Sequence, residues 1–455
     1  MKETQEKWQR KRMIQKSKVE NLQRNVKNQG ITLIALVATI VILLILSGVT
    51  INMLLGENGI IRTAQEAKNT WEEATANEEG GIQNLVNELN NIMNREEKEP
   101  EPEDIETVTD TNHDTLEVKD EFGNIVTIPK GFKVVISEGI TVPEGIVIED
   151  ANGNQFVWIP VGIVHKDNNP ENDVTIKLGR YTFDETNGTP TMQQAAFAGD
   201  NPNNVEQTYV DEVTISFGGG DYKELTTYRA GIASNGTDGL NATAKDLAGF
   251  MQSVKDNGGY YLARYEASYG SGYNSEGTTD EEKYANAKPL SKVSIGNSIY
   301  ETRYDESGQL WTALPQLQKS KVSQNMYAND NSVGVESDLT NSYAWDTAIV
   351  FIQSMDETKS NYAIKKDLNG TLKNTGGTGD KACNIFDMTA NITELTTEYS
   401  LHSSSEHAFP CTNRGGSFNL SSYTAYRGPD SAINSSSSAG LGFRVTIMWS
   451  KDKRC

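Results

Sequence analysis

ACNIFDMTANITELTTEYS at 382–400, PCTNRGGSFNLSSYTAYRG at 410–428 and SSAGLGFRVTI at 437–447 decide how the chain reads. Short apolar runs alternate with Gly, Asn and Ser, the pattern of strands joined by irregular loops. Gly415 and Gly416, and Gly440 and Gly442 around Leu441, suit places where backbone turns or approaches closely. Arg414, Arg427 and Arg444 recur as donors able to tie such loops together.

Upstream, 343–352 (YAWDTAIVFI) predicts a core helix with Trp345, Ile349 and Ile352 inward, and 258–268 (GGYYLARYEAS) is an aromatic-rich run. Residues 120–160 hold an internal echo: DEFGN at 120–124 returns as DANGN at 150–154, and PKG at 129–131 as PEG at 143–145. Strand-turn-strand is the expectation there, a small β module at 120–160. The run EEKEPEPEDIE at 96–106 predicts an extended acidic linker, 97–119.

The N-terminus differs. Residues 1–30 carry nine Lys/Arg against three Glu and predict a basic cytoplasmic leader. Residues 31–55 (ITLIALVATIVILLILSGVTINMLL) hold no charge and predict a transmembrane helix. The basic flank sets the N-terminus in the cytoplasm and the C-terminal domain outside. Residues 56–96, with Ile82, Leu85, Val86, Leu89, Ile92 and Met93 on one face, predict a helical stalk. The net charge of −21 argues against a nucleic-acid partner, and three cysteines are too few for a disulfide framework.

Two resemblances extend this reading. The order N-x-F-D-M-x-A-N-x-x-E, RGGSF, YR, GFRV resembles the formylglycine-generating enzyme/sulfatase-modifying-factor family, a variant of the C-type lectin fold. It implies one such domain over 161–448, followed by a tail at 449–455. Catalytic members of that family place two cysteines shortly after GGS. Leu420 and Ala425 stand there, so the resemblance implies the scaffold without the enzyme activity. Asn391 and Glu394 match positions the family uses around calcium; the competing reading is that they hydrogen-bond loop backbone. At the other end, Gly30-Ile31-Thr32-Leu33-Ile34 resembles the type IV prepilin signal of Gram-positive bacteria, which implies processing between Gly30 and Ile31. Ala35 stands where that family usually has Glu.

Cys383 and Cys411 flank the family motif. A disulfide between them would be worth about 3–4 kcal/mol. Two buried thiols, a zinc site with His402 and His407, and a reactive thiol remain as alternatives. Between Phe418 and Gly440, Tyr supplies contact area and Ser and Asn supply hydrogen bonds, as in adaptable binding loops. Asn419, Ser421, Ser422, Tyr423, Tyr426, Asp430 and Asn434 are the candidate ligand-binding residues; an ordinary solvated loop is the alternative.

The expectation is therefore an α+β protein: one transmembrane helix, a helical stalk, and a loop-rich lectin-like domain displaying a bound ligand at the cell surface. Expected partners are a bacterial membrane, an unidentified surface or extracellular ligand and pilin-like subunits, with calcium the expected cofactor. A minor pilin of a filament or secretion machine, and a formylglycine-type oxidase using Cys383 or Cys411, are the alternatives.

Overall fold

The structure is a computed structural model that describes residues 102–197, 212–217, 220–225, 247–295, 307–312, 314–366, 370–400, 410–418, 423–431 and 440–449. These belong to one compact unit, Glu101–Cys455. The leader, the apolar run 31–55, the stalk 56–96, the tail 449–455 beyond Trp449, and Gly30 and Ile31 lie outside the described residues.

The chain enters through β1 (Glu103–Asp104), β2 (Leu116–Lys119) and β3 (Ile125–Ile128), a small three-stranded sheet. The stretch expected as a linker, 97–119, contributes Ile105, Val108 and Val118 to the core. Next come β4 (Phe132–Val134), β5 (Val147–Asp150) and β6 (Gln155–Pro160), then β7 (Gly162–Val164), β8 (Val174–Ile176), β9 (Gly179–Phe183) and β10 (Pro190–Ala195).

The sequence echo has a structural counterpart. In both D-x-x-G-N turns the Asp Oδ1 accepts the Asn backbone amide at 2.8 Å, and the Asn side-chain amide donates back to Oδ2. The glycines take φ +86° and +78°, the left-handed geometry these turns need. The segment 120–160 is not set apart, because β4, β5 and β6 join the main sheet.

That sheet is six-stranded and antiparallel, completed by β13 (Gly259–Ala263), β16 (Val335–Leu339) and β23 (Val445–Trp449) in the order β16-β23-β13-β6-β5-β4. A second sheet runs β11 (Glu212–Phe217), β12 (Gly220–Leu225), β19 (Thr393–Ser400), β20 (Pro410–Arg414), β21 (Gly428–Ser431). Its sixth strand, β22 (Leu441–Phe443), pairs in parallel with β19. Shorter pairs are β14 (Ser268–Ser271) with β15 (Lys288–Leu290), and β17 (Lys381–Ala382) with β18 (Ile385–Phe386).

Four α-helices are described: α1 (Leu247–Asn257), α2 (Asp280–Tyr284), α3 (Gln316–Asn325) and α4 (Ser342–Met355). α4 is the predicted core helix. Asn341 caps it by accepting from the Ala344 amide at 2.9 Å. Trp345, Ile349 and Ile352 are fully buried, and the helix packs against β6, β9, β13 and β19. Apolar all round, it reads as interior rather than amphipathic. Its one charged residue, Asp346, is also fully buried.

These elements correct the α+β assignment with its transmembrane helix and helical stalk. The described body is mostly β-sheet, and among the described residues no helix is long and apolar enough to cross a membrane. The single-pass membrane location, N-terminus inside and C-terminal domain outside, is corrected with it. The apolar period of the first hundred residues weighed too heavily in the class, because the strands of the body are short and interrupted by Gly and Asn.

The RGGSF run shows the close approach its glycines promised. Gly415 takes φ +84°, and a Cβ on Gly416 would lie 1.8 Å from the Thr389 carbonyl oxygen. That oxygen belongs to backbone and cannot swing away. Gly416→Ala is expected to lower unfolding free energy by about 2–3 kcal/mol in a denaturant titration; a change within about 0.5 kcal/mol would show that the two segments do not touch.

Candidate functional site

The interior between the sheets is built around ion pairs. β19 presents Glu394 and Glu398 inward, four residues apart on one strand face. Glu398 accepts from Arg180 of β9, from Arg427 at 3.2 Å and from Arg414 at 3.5 Å. Asp346 of α4 accepts from Arg414, from Arg427 at 2.5 Å and from the Tyr181 amide at 2.8 Å. Arg414 lies 4.4 Å over the Trp345 ring. All five charged side chains are fully buried. Burial pushes the Glu398 carboxyl up, but Arg427, Arg180 and Arg414 together hold it below the usual range.

Arg444 sits where the chain passes from β22 in one sheet to β23 in the other. It is bidentate to Glu394, Nη2 to Oε1 at 2.6 Å and Nε to Oε2 at 3.2 Å, and donates to the carbonyls of Ala263 and Phe386. Glu394 also accepts from Trp345 Nε1 at 3.3 Å. Asn391 donates to Glu266 at 2.6 Å and accepts from the Lys373 amide at 3.0 Å. The two expected calcium ligands are thus both engaged with protein partners. Among the described residues no group of three or more His, Cys, Asp or Glu could hold a metal ion.

Three further buried titratable groups surround this core. Burial, with Asp387 and Glu394 nearby, raises Glu266 well above the carboxylate range. Burial raises Asp387 despite its bonds to Thr375, Thr378 and the Gly376 amide. On α3, Lys319 donates to the Leu441 carbonyl at 2.8 Å, and burial pulls its ammonium down to about 7.

Cys383 and Cys411 are not joined to each other, which corrects the expected disulfide. Cys383 forms the tip of the β17–β18 hairpin; it and Asn384 take φ 42° and 62°, the doubly left-handed turn of a two-residue hairpin. Cys411 is fully buried within the second sheet, paired with Tyr399 on one side and Asp430 on the other. Burial pushes the Cys383 thiol up to about 12, so it is a poor nucleophile at neutral pH.

The candidate binding loop is described in part. Asn419, Ser421, Ser422 and Asn434 lie outside the described residues. Tyr423 and Tyr426 form an edge-to-face pair with centroids 5.6 Å apart, both half-buried. Tyr423 hydroxyl donates to Glu185 at 3.4 Å. Tyr423 bridges Lys366, and the amides of Thr424 and Ala425 donate to the carbonyls of Lys365 and Ala363. Asp430 lies apart on β21, receiving Asn413 Nδ2 at 3.4 Å. The two tyrosines therefore make a ledge fastened to the 363–366 segment. Beneath it, Arg427 and Arg414 enter the buried ion cluster.

A second concavity, a polar cavity of about 490 Å³, opens between the turns at 150–152 and 330–333. Its acidic groups already have partners. Asp150 accepts from Asn152, Asn154 and Tyr327, and Asp330 from the Ser332 amide and hydroxyl.

Sequence reading singled out the three arginines but missed their acceptors. Asp346 and Arg180 lie 68 and 218 residues from their partners, with no local pattern to announce them.

No family model, no curated protein and no solved structure matches this chain. The assignment to a pilin-like protein with a sulfatase-modifying-factor-like domain is corrected accordingly. It has no support beyond the motif residues, and Asn391, Glu394, Arg414, Arg427 and Arg444 have structural partners here.

In a Cys455→Ser background, native protein is expected to react slowly with a thiol reagent and unfolded protein to yield two thiols. No thiol in the unfolded protein would restore the disulfide, and rapid native labelling of Cys383 would contradict its raised pKa.

Proposed function

We propose that the chain is a ligand-binding domain without catalytic activity, and that the Tyr423–Tyr426 ledge is its contact surface. The observation that carries this is the division of labour among side chains. Asp346, Glu394 and Glu398 are bonded to buried guanidiniums, and burial raises the pKa of the Cys383 thiol. What faces outward at the end of this rigid network is a pair of aromatic rings with a hydroxyl, next to lysines. Rings on a fixed scaffold give contact area at small entropic cost.

The formylglycine-type alternative draws nothing from this geometry: Cys411 is fully buried and Cys383 is a weak nucleophile.

The reading is tested by profiling the intact chain on an array of glycans and peptides beside the Tyr423→Ser/Tyr426→Ser variant. Array members that hold the native chain are expected to lose the variant by about tenfold or more, with the melting temperature changed little. Equal binding by both proteins, or no binding by the native chain, would overturn it.

A further inference from the structure

Beside the ledge, one feature of charge placement stands out. Lys359 and Lys365 both point at the same aromatic ring. Their ammonium nitrogens lie 5.7 and 5.6 Å from the centre of Tyr362. That ring is fully buried, and its hydroxyl donates to Asp380 at 2.8 Å, so the platform is fixed. Both lysines are half-buried and reach solvent.

We propose that Lys359 and Lys365 form a clamp for a tetrahedral dianion, a phosphate group, at the border of the tyrosine ledge. This deepens the binding reading above and rests on it for the role of the neighbouring surface.

Three observations support the clamp. The first is repulsion. The chain carries 62 acidic residues against 41 basic ones, yet these two cations are set together with neither in an ion pair among the described residues. Two ammoniums over one ring gain cation–π attraction but repel each other. Burial, and then the neighbouring Lys359, lowers the Lys365 pKa from its ordinary value. The two side chains lie in contact with each other, and an anion bound to both relieves that repulsion.

The second is the state of the nearby carboxylates. Asp380 accepts from Tyr362 and from the Thr389 amide, and Asp356 from the amide and hydroxyl of Thr358. These two acids favour the charged form of Lys365 without bonding to it. Glu357, beside Lys359, is exposed. Lys366, on the other side, adds positive charge at the border.

The third is attachment. The Lys365 carbonyl accepts the Thr424 amide at 2.9 Å and its hydroxyl at 3.3 Å, while Lys366 bridges Tyr423. The segment that carries Lys365 is thus joined through its main chain to the segment that carries Tyr423. Two ammoniums match a doubly charged oxygen tetrahedron better than a singly charged carboxylate.

The test is calorimetric titration of the full chain at constant ionic strength with inorganic phosphate, inorganic sulfate and phenyl phosphate. Saturable binding of one phosphate per chain is expected; for phenyl phosphate it weakens as pH falls below about 6, where a phosphomonoester takes up its second proton. Lys359→Gln and Lys365→Gln are each expected to weaken it about tenfold or more, the loss of one charge-assisted hydrogen bond. Phenyl phosphate binding more tightly than inorganic phosphate, with the excess lost in Tyr423→Ser/Tyr426→Ser, identifies a phosphomonoester lying on the ledge. Equal affinities identify the free anion. No saturable binding by the native chain, or binding that both lysine variants retain, overturns the clamp. Phosphate binding with a silent array leaves the clamp standing and the ledge reading refuted; the reverse outcome separates them the other way.

Discussion

Two carboxylates shared among three guanidiniums govern this interior. Asp346 and Glu398 are fully buried, and Arg180, Arg414 and Arg427 close around them. Ions so placed lose their hydration, and only near-complete pairing offsets that loss. The groups come from β9, α4, β19, β20 and the turn before β21, so completing the cluster requires all of these elements to be assembled. Such a cluster adds little net stability compared with apolar packing, but it penalises any arrangement that leaves one charge alone. Arg444 and Glu394 repeat the device where the chain crosses between the sheets.

This arrangement explains why parts of the chain could be read and others could not. The D-x-x-G-N turns were legible because their hydrogen bonds close within five residues. The helix at 342–355 was legible because its apolar residues follow one another without interruption. Arg414, Arg427 and Arg444 could be recognised as tying residues from their placement among glycines, yet their acceptors are set by tertiary geometry. Glu394 was read toward calcium because a carboxylate in an irregular loop suits a cation of either kind; the structure supplies a guanidinium. Cys383 and Cys411 looked pairable along the chain, but one belongs to a hairpin tip and the other to the middle of the second sheet.

Function follows from what the interior leaves over. With its strongest charges bonded inward, the chain exposes an aromatic ledge fastened by main-chain hydrogen bonds to the 363–366 segment. The same short segment carries Lys365, and the turn before it carries Lys359, so aromatic contact and positive charge are held in fixed relation. On the binding proposal, a rigid foundation under the tyrosine pair leaves little ordering to be done when a ligand docks.

The most direct test of the account is a double-mutant cycle on Asp346→Ala and Arg427→Ala, followed by denaturant unfolding of the intact chain. Each single change is expected to cost about 3–5 kcal/mol, because it strands a buried partner. The pair together should cost less than their sum by about 1–3 kcal/mol. Effects that add within about 0.5 kcal/mol would mean that the two residues do not share one network, and the central claim would fall.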